Sequence, residues 1–256
     1  MKPIRAVVLA GNNNQGEFIK GQEIKNKALL TIKSKPMLNY VLDVLVKVEE
    51  ISEIVVVGPE ELEAIIKDYP VNLIIHKEDI IDNVVTSKTG WEDGRLLIVT
   101  SDIPMITVEG IKDFINQCNK YAEEYQLFYP IVAKAINEQV FPGVKRTYVT
   151  LKEGVFTGGN VLMVDVCCID GAAEQGKRLV ALRKSPIKLA NYLGWIFLIK
   201  LLCRKLTIYE LEKRVSNLLS LKAKAIISEY PQLGTDVDKD SDIDIAEQYL
   251  ENISNL

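Results

Sequence analysis

Residues 6–36 read AVVLAGNNNQGEFIKGQEIKNKALLTIKSKP. The stretch opens as a buried strand and stops at Gly11; a polar loop follows, and then Lys27 and Lys35. A strand that ends in a polar loop with positive charge is one way to hold a phosphate. Exposed N–H groups in such a loop cradle phosphate oxygens, and glycine lets backbone approach a ligand closely. The other reading is a plain strand–loop–helix with lysines on its surface. Neither GxxxxGK[ST] nor GxGxxG is present, so the two familiar nucleotide loops are excluded.

Working outward, apolar runs of strand length recur at 4–10, 54–57, 73–75, 96–100, 127–132, 161–164 and 225–227. Most are continuous rather than alternating, the pattern of strands covered on both faces. Helical patterns separate the first of them. Pro36 stands at a helix start, Pro59 opens another with Glu60, Glu61 and Glu63 near its positive end, and Thr107 caps one running to about Glu124. This alternation predicts an α/β chain built on a mostly parallel, doubly wound sheet. From Gly171 to Ser220 the pattern is helix only, in three segments, which predicts a helical flank on a single domain spanning 1–256. Within it Leu189–Leu202 is apolar nearly all round. Such a helix is expected to be buried or in an oligomer contact; contact with a bilayer surface, or a pocket for a lipid-like acceptor, are the alternatives.

Composition narrows the partners. The 256 residues carry a net charge of -4, which argues against nucleic acid as the main partner. The N-terminal apolar run is shorter than the ~7–15 residues of a signal-peptide core, and no run reaches the ~18 of a membrane span. The four cysteines, Cys118, Cys167, Cys168 and Cys203, form no CxxC pair and no Cys/His cluster, so zinc is not indicated. Reduced thiols in the cytoplasm are the expectation.

Leu9-Ala10-Gly11, Lys27-Ala28-Leu29-Leu30 and Lys35-Pro36-Met37-Leu38 resemble the N-terminal signature of the nucleotidyltransferase superfamily: L-A-G-G, K-A-L-L and G-K-P-M-L. That superfamily includes the molybdenum cofactor guanylyltransferases and the cytidylyl- and uridylyltransferases of sugar and polyol phosphates. The resemblance implies a Rossmann-like fold of the nucleotide-diphospho-sugar transferase type. It also implies transfer of an NMP moiety from an NTP to a phosphorylated small molecule, with release of pyrophosphate. It puts the backbone of Ala10 and Gly11 on the nucleoside and makes Lys27 a catalytic, phosphate-binding cation. Asn12 replaces the second glycine, and the usual loop Arg has no clear counterpart; Lys20 and Lys25 are the candidate substitutes.

The strand at 96–100 runs into Asp102-Ile103-Pro104. Read alone, Asp102 either caps a helix or binds a ligand. In the resembling family a strand-end D-x-P binds Mg²⁺. Attack on an α-phosphate brings two anions together, and a hard dication with oxygen ligands neutralises them. The later run GTDVDKDSDI, residues 234–243, resembles the family's closing motif. Aligned so, Asp236 is the second metal ligand, Asp238 is its rival, and Asp242 sits in a helix's first turn, where a carboxylate is favourable. An acidic solvated loop is the other reading. Asn83 lies in the region that reads the base in this family; it either hydrogen-bonds a base edge or caps a helix. Lys145 and Arg146 follow a Pro-Gly turn, and Thr157-Gly158-Gly159-Asn160 leads into a strand. Both suit an anionic acceptor, and Gly-Gly-Asn resembles the acceptor loop of sugar-phosphate members. His76, the single histidine, is given no catalytic task, because the acceptor phosphate is its own nucleophile. A glycosyltransferase using Asp236-Val237-Asp238 as a D-x-D metal site and a non-catalytic nucleotide-binding protein are the alternatives.

Overall fold

The computed structural model describes residues 2–11, 17–19, 22–24, 26–182 and 185–254. Asn12, Lys20 and Lys25 lie outside the described residues. Strand β1 (Ile4–Leu9) is followed by two small hairpins, β2 (Glu17–Ile19) with β3 (Gln22–Ile24) and β4 (Thr31–Ile32) with β5 (Lys35–Pro36). Helix α1 (Met37–Leu45), β6 (Ile51–Gly58), α2 (Glu63–Ile66), β7 (Asn72–Ile75), α3 (Ile80–Ser87), β8 (Arg95–Thr100), α4 (Val108–Lys120) and β9 (Leu127–Ala133) alternate after them. Next come α5 (Lys134–Val140), β10 (Val149–Leu151), β11 (Gly154–Gly158) and β12 (Val161–Asp165). Four helices, α6 (Ile169–Leu182), α7 (Pro186–Leu193), α8 (Trp195–Leu202) and α9 (Ile208–Leu219), lead to β13 (Ala223–Ser228) and α10 (Asp240–Ser254).

Nine strands form one sheet in the order β10-β11-β9-β12-β8-β1-β6-β7, with β13 also paired to β9. The parallel ladders β1–β6, β1–β8, β6–β7 and β13–β9, together with the antiparallel ones, leave only β11 and β12 running against the other seven. Continuous apolar runs arise because both faces are covered. Ala6, Val8, Val56, Leu97 and Val99 pack with Leu38, Val41, Leu42, Phe114 and Ile115 of α1 and α4. The alternate residues Val7, Val55, Val57, Leu96 and Ile98 pack with Val84 of α3 and Ile169 of α6. The period of two along each strand sorts them.

The sheet order fixes where a ligand can enter. The chain steps from β1 outward to β6 and β7, then returns to β8 on the other side of β1. Such a reversal opens a crevice beyond the carboxyl ends of the two central strands. Those ends are held together: Leu9 pairs with Thr100 across the ladder, and the Ser101 N–H donates to the Leu9 carbonyl at 3.1 Å.

All seven expected strands are present, with ends shifted by at most three residues. The helix capped by Thr107 stops at Lys120 rather than near Glu124. The β10–β11 hairpin was not expected, since its strands are short and only partly apolar. Among the described residues the flank holds four helices instead of three. Leu189–Leu202, expected to be buried or in an oligomer contact, is not one helix: Gly194, at φ 133°, breaks it into α7 and α8. That backbone conformation is closed to most side chains. The break leaves two short helices, and no residue of α8 is fully buried. Among the described residues, no helix is long and apolar enough to cross a membrane.

Candidate active site

Lys27 opens a 3₁₀ turn (Lys27–Leu29) just past the end of β1. Asn26 places it. The Asn26 Oδ1 accepts from the Ala28 N–H at 2.8 Å, capping the turn, and its Nδ2 donates to the Ala10 carbonyl at 2.7 Å. Asn26 is itself buried, so one side chain ties the lysine to the strand end. Nothing in the sequence analysis singled it out; the signal was an amide directly before K-A-L-L.

Asp102 lies two residues beyond β8. Asp236 and Asp238 come from the segment between β13 and α10. A cluster of Leu30, Ile32, Met37, Met105, Phe141, Val237, Ile243 and Ala246 packs that segment against the Lys27 region. The Val237 N–H donates to the Asp102 carbonyl at 2.9 Å, fastening the two acid-bearing segments backbone to backbone. Asp242, buried in the first turn of α10, accepts from the amides of Asp238 and Lys239 at 3.0 and 3.2 Å. Its carboxylate thus shapes the Asp238 peptide, as well as facing the helix dipole. Buried Thr235 is held by the Pro231 carbonyl and by Asn137 Oδ1, at 2.9 and 3.2 Å.

The acids converge. Asp102, Asp236 and Asp238 each offer an oxygen, and all three oxygens lie within 4.8 Å of one another. The Lys27 ammonium donates to Asp102 at 3.0 Å and to Asp238. Arg146 donates to Asp236 through Nη1 and to the Gly158 carbonyl through Nη2 at 3.3 Å. Burial pulls the Lys27 pKa down, but the attraction of Asp102 and Asp238 outweighs it and the net shift is upward. Burial also pulls Arg146 down, with nearby tyrosine and aspartate groups opposing it. Three carboxylates and two cations thus share one site.

Among the described residues, four buried polar atoms around this cluster have no hydrogen-bond partner: Asp102 Oδ1, Arg146 Nε, Asn160 Nδ2 and Thr100 Oγ1. Buried polar groups are normally paired, so a concentration of orphans marks a place built for something polar. The donor set, all carboxylate oxygen, suits a hard dication such as Mg²⁺ rather than a softer transition metal.

The MobA-like NTP transferase domain family matches residues 6–142, more than half of the chain. The chain belongs to that family. It is also similar to a hypothetical transferase from Thermus thermophilus, with 35% identity over 95% of this chain and 100% of that one, and a TM-score of 0.81. Two more distant structures share the fold. CMP:2-keto-3-deoxy-manno-octonic acid synthetase, complexed with CTP, aligns at 14% identity and TM-score 0.62 over 99% of this chain and all of that one. The 4-diphosphocytidyl-2C-methyl-D-erythritol synthase from Anaerococcus prevotii aligns at 14% identity and TM-score 0.57 over 98% and 96% of the two chains. No curated protein sequence matches the chain.

In this MobA-like chain the other expected site residues fall as follows. The Ala10 N–H is spent on the Val57 carbonyl at 2.8 Å, and its carbonyl accepts from Asn26. A nucleotide would therefore meet this corner through the Gly11 peptide or the carbonyl's second lone pair. At Gly11 a Cβ would stand 2.9 Å from the His76 ring. The glycine makes room for a side chain of this protein, and His76, dismissed from the sequence, covers the strand end with its Nδ1 buried and unpartnered. Asn83 is not the helix cap; Asp79 is. Its amide is engaged with one peptide: Oδ1 accepts from the Lys77 N–H at 2.5 Å and Nδ2 donates to the Lys77 carbonyl at 3.1 Å. Asn83 instead holds the peptide next to His76.

On the acceptor side, Arg146 and Asn160 are brought in and Lys145 is not; it is exposed. The Asn160 carbonyl accepts from the Thr100 N–H at 3.1 Å, which seats it beside the Asp102 strand. Gly158 and Gly159 press on the Tyr129 hydroxyl and the Pro130 ring, so their missing side chains serve internal packing rather than an open approach to ligand. Lys35 pairs with Asp43 and lies 4.5 Å over the Tyr40 ring, away from the carboxylates.

Proposed function

We propose that the protein transfers an NMP moiety from an NTP to a phosphorylated small-molecule acceptor, releasing pyrophosphate. One observation carries the reading: Lys27, Arg146 and three carboxylates from distant parts of the chain meet at the crevice beyond β1 and β8. Asp102, Asp236 and Asp238 would hold Mg²⁺, which when bound neutralises charge and polarises the α-phosphate.

The rest of the chemistry falls to the chain's own groups. An oxygen of the acceptor phosphate attacks the α-phosphorus in line. The bond from that phosphorus to the bridging oxygen breaks, and the bridging oxygen leaves on pyrophosphate with the electron pair. The nucleophile is already ionised at neutral pH, so no general base is required. Lys27 stays protonated and meets the triphosphate oxygens as a point charge. Arg146 presents a planar fork suited to a second phosphate, and the unpartnered Asn160 amide stands ready beside it. Catalysis consists of positioning and preset charge.

The test is a panel: each of four NTPs with Mg²⁺ against phosphorylated sugars, polyols and alcohols, with pyrophosphate as the readout. Release that depends on both NTP and acceptor supports the proposal. Free nucleoside diphosphate from nucleotide sugars, without pyrophosphate from NTPs, would replace it with glycosyl transfer on a D-x-D pair. NTP binding without turnover across the panel would replace it with a sensor.

A further inference from the structure

We infer that helices α7 and α8 form a peripheral docking surface for an anionic lipid bilayer. The inference stands apart from the nucleotidyl-transfer reading and uses none of its residues.

The first observation is a charge bias. Between Gln175 and Tyr209 the chain carries eight Lys and Arg residues and no Asp or Glu, in a protein whose overall charge is -4. Lys177, Arg178 and Lys200 are engaged with Asp82, Glu174 and Glu210 from outside that stretch. Lys188 of α7 and Arg204 and Lys205 after α8 are exposed, and no ion pair of the described residues includes them.

The second observation is an apolar stripe beside those cations. Trp195, Ile196, Ile199 and Leu202 are 68%, 52%, 49% and 65% exposed. Their spacing puts them on one side of α8. Ile187 of α7 is 59% exposed. The other side of α8 is anchored: Phe197 and Leu201 pack with Leu151, Phe156 and Leu206. The stripe is therefore held outward by a packed inner face. A Trp among aliphatic residues, flanked by lysine and arginine, is the composition of helices that lie in the headgroup region.

Charge decides the occupant. A second copy docking through the same face would bring like charges together. An anionic bilayer offers both an apolar layer for the stripe and a complementary field for the cations.

The experiment is sedimentation of the full chain with phosphatidylcholine vesicles, with and without an equal part of phosphatidylglycerol, at low and high salt. Trp91→Phe leaves Trp195 as the only tryptophan, whose fluorescence should shift blue on binding and be quenched by brominated lipid. Binding should require phosphatidylglycerol and weaken with salt. Each basic residue near such a surface contributes roughly fivefold, so Lys188→Glu with Arg204→Glu and Lys205→Glu should weaken binding by at least about tenfold, as should Ile199→Asp. Thermal stability in solution should not change. No binding to the anionic vesicles at low salt, or binding indifferent to these variants, would overturn the inference. So would a solution dimer that Ile199→Asp dissociates while vesicles retain nothing. If Trp91→Phe fails to fold, sedimentation decides alone.

Discussion

The Val237 N–H donates to the Asp102 carbonyl at 2.9 Å. Two segments 135 residues apart are thereby locked in register, and the carboxylates on them face one another. The lock is made by backbone, so it survives replacement of the side chains. This separates the folding of the site from its chemistry and lets individual acids be tested without losing the frame.

Asp102→Asn should abolish most Mg²⁺-dependent pyrophosphate release, by about 10²–10³-fold, the usual cost of one preset charge-stabilising group. Its unfolding midpoint should stay close to wild type, since the Asp102 carbonyl still holds Val237 and Lys27 keeps Asp238. Release assays alongside thermal melts check both halves. Retained activity would remove Asp102 from the metal set.

Lys27→Met should also stop turnover, yet bind Mg²⁺ more tightly in the absence of nucleotide, because no ammonium competes for Asp102 and Asp238. The readout is a larger Mg²⁺-induced rise in melting temperature than wild type shows. The pH dependence follows from the upward shift of Lys27. Its contribution to stability is complete below the ordinary lysine value of 10.5 and fades as pH rises through the higher value in the folded protein. The stability gap between wild type and variant should hence be flat through neutral and mildly alkaline pH and close only in strong alkali.

Gly11→Ala drives a methyl group into the His76 ring. Overpacking of this kind costs ~1–3 kcal/mol. In a His76→Ala background most of that cost should vanish, giving a coupling energy well above the ~0.5 kcal/mol expected of independent sites. Urea unfolding of the two single variants and the double variant measures it. Additive effects would mean that Gly11 is required for something other than His76.

The sequence made the sheet legible because burial on both faces leaves unbroken apolar runs, as at 6–10 and 96–99. It could not reveal that β12 lies antiparallel between β8 and β9, because a doubly covered strand reads the same in either direction. Lys27, Asp102 and Asp236 were legible as candidate site residues, and they lie together in the fold. Asp238 was visible only as a rival; that all three acids converge depends on the cluster around Val237, which no local pattern encodes. Asn26 and His76 were missed because their roles are contacts with backbone and glycine far along the chain. At 189–202 apolar content implies burial or an oligomer contact, whereas past the bend at Gly194 one stripe faces outward.

The convergence also sets a schedule during synthesis. A ribosome delivers residues 6–142 first, and they include Lys27 and Asp102. They lack Arg146, Asp236 and Asp238. A nascent chain at that stage can bury most of its central strands but carries a single acid of the three, facing an ammonium that cancels it. Divalent cations should find little to hold there, and nucleotide no complete cradle, until translation has passed Asp242 and α10 has docked. Competence then arrives in one late event.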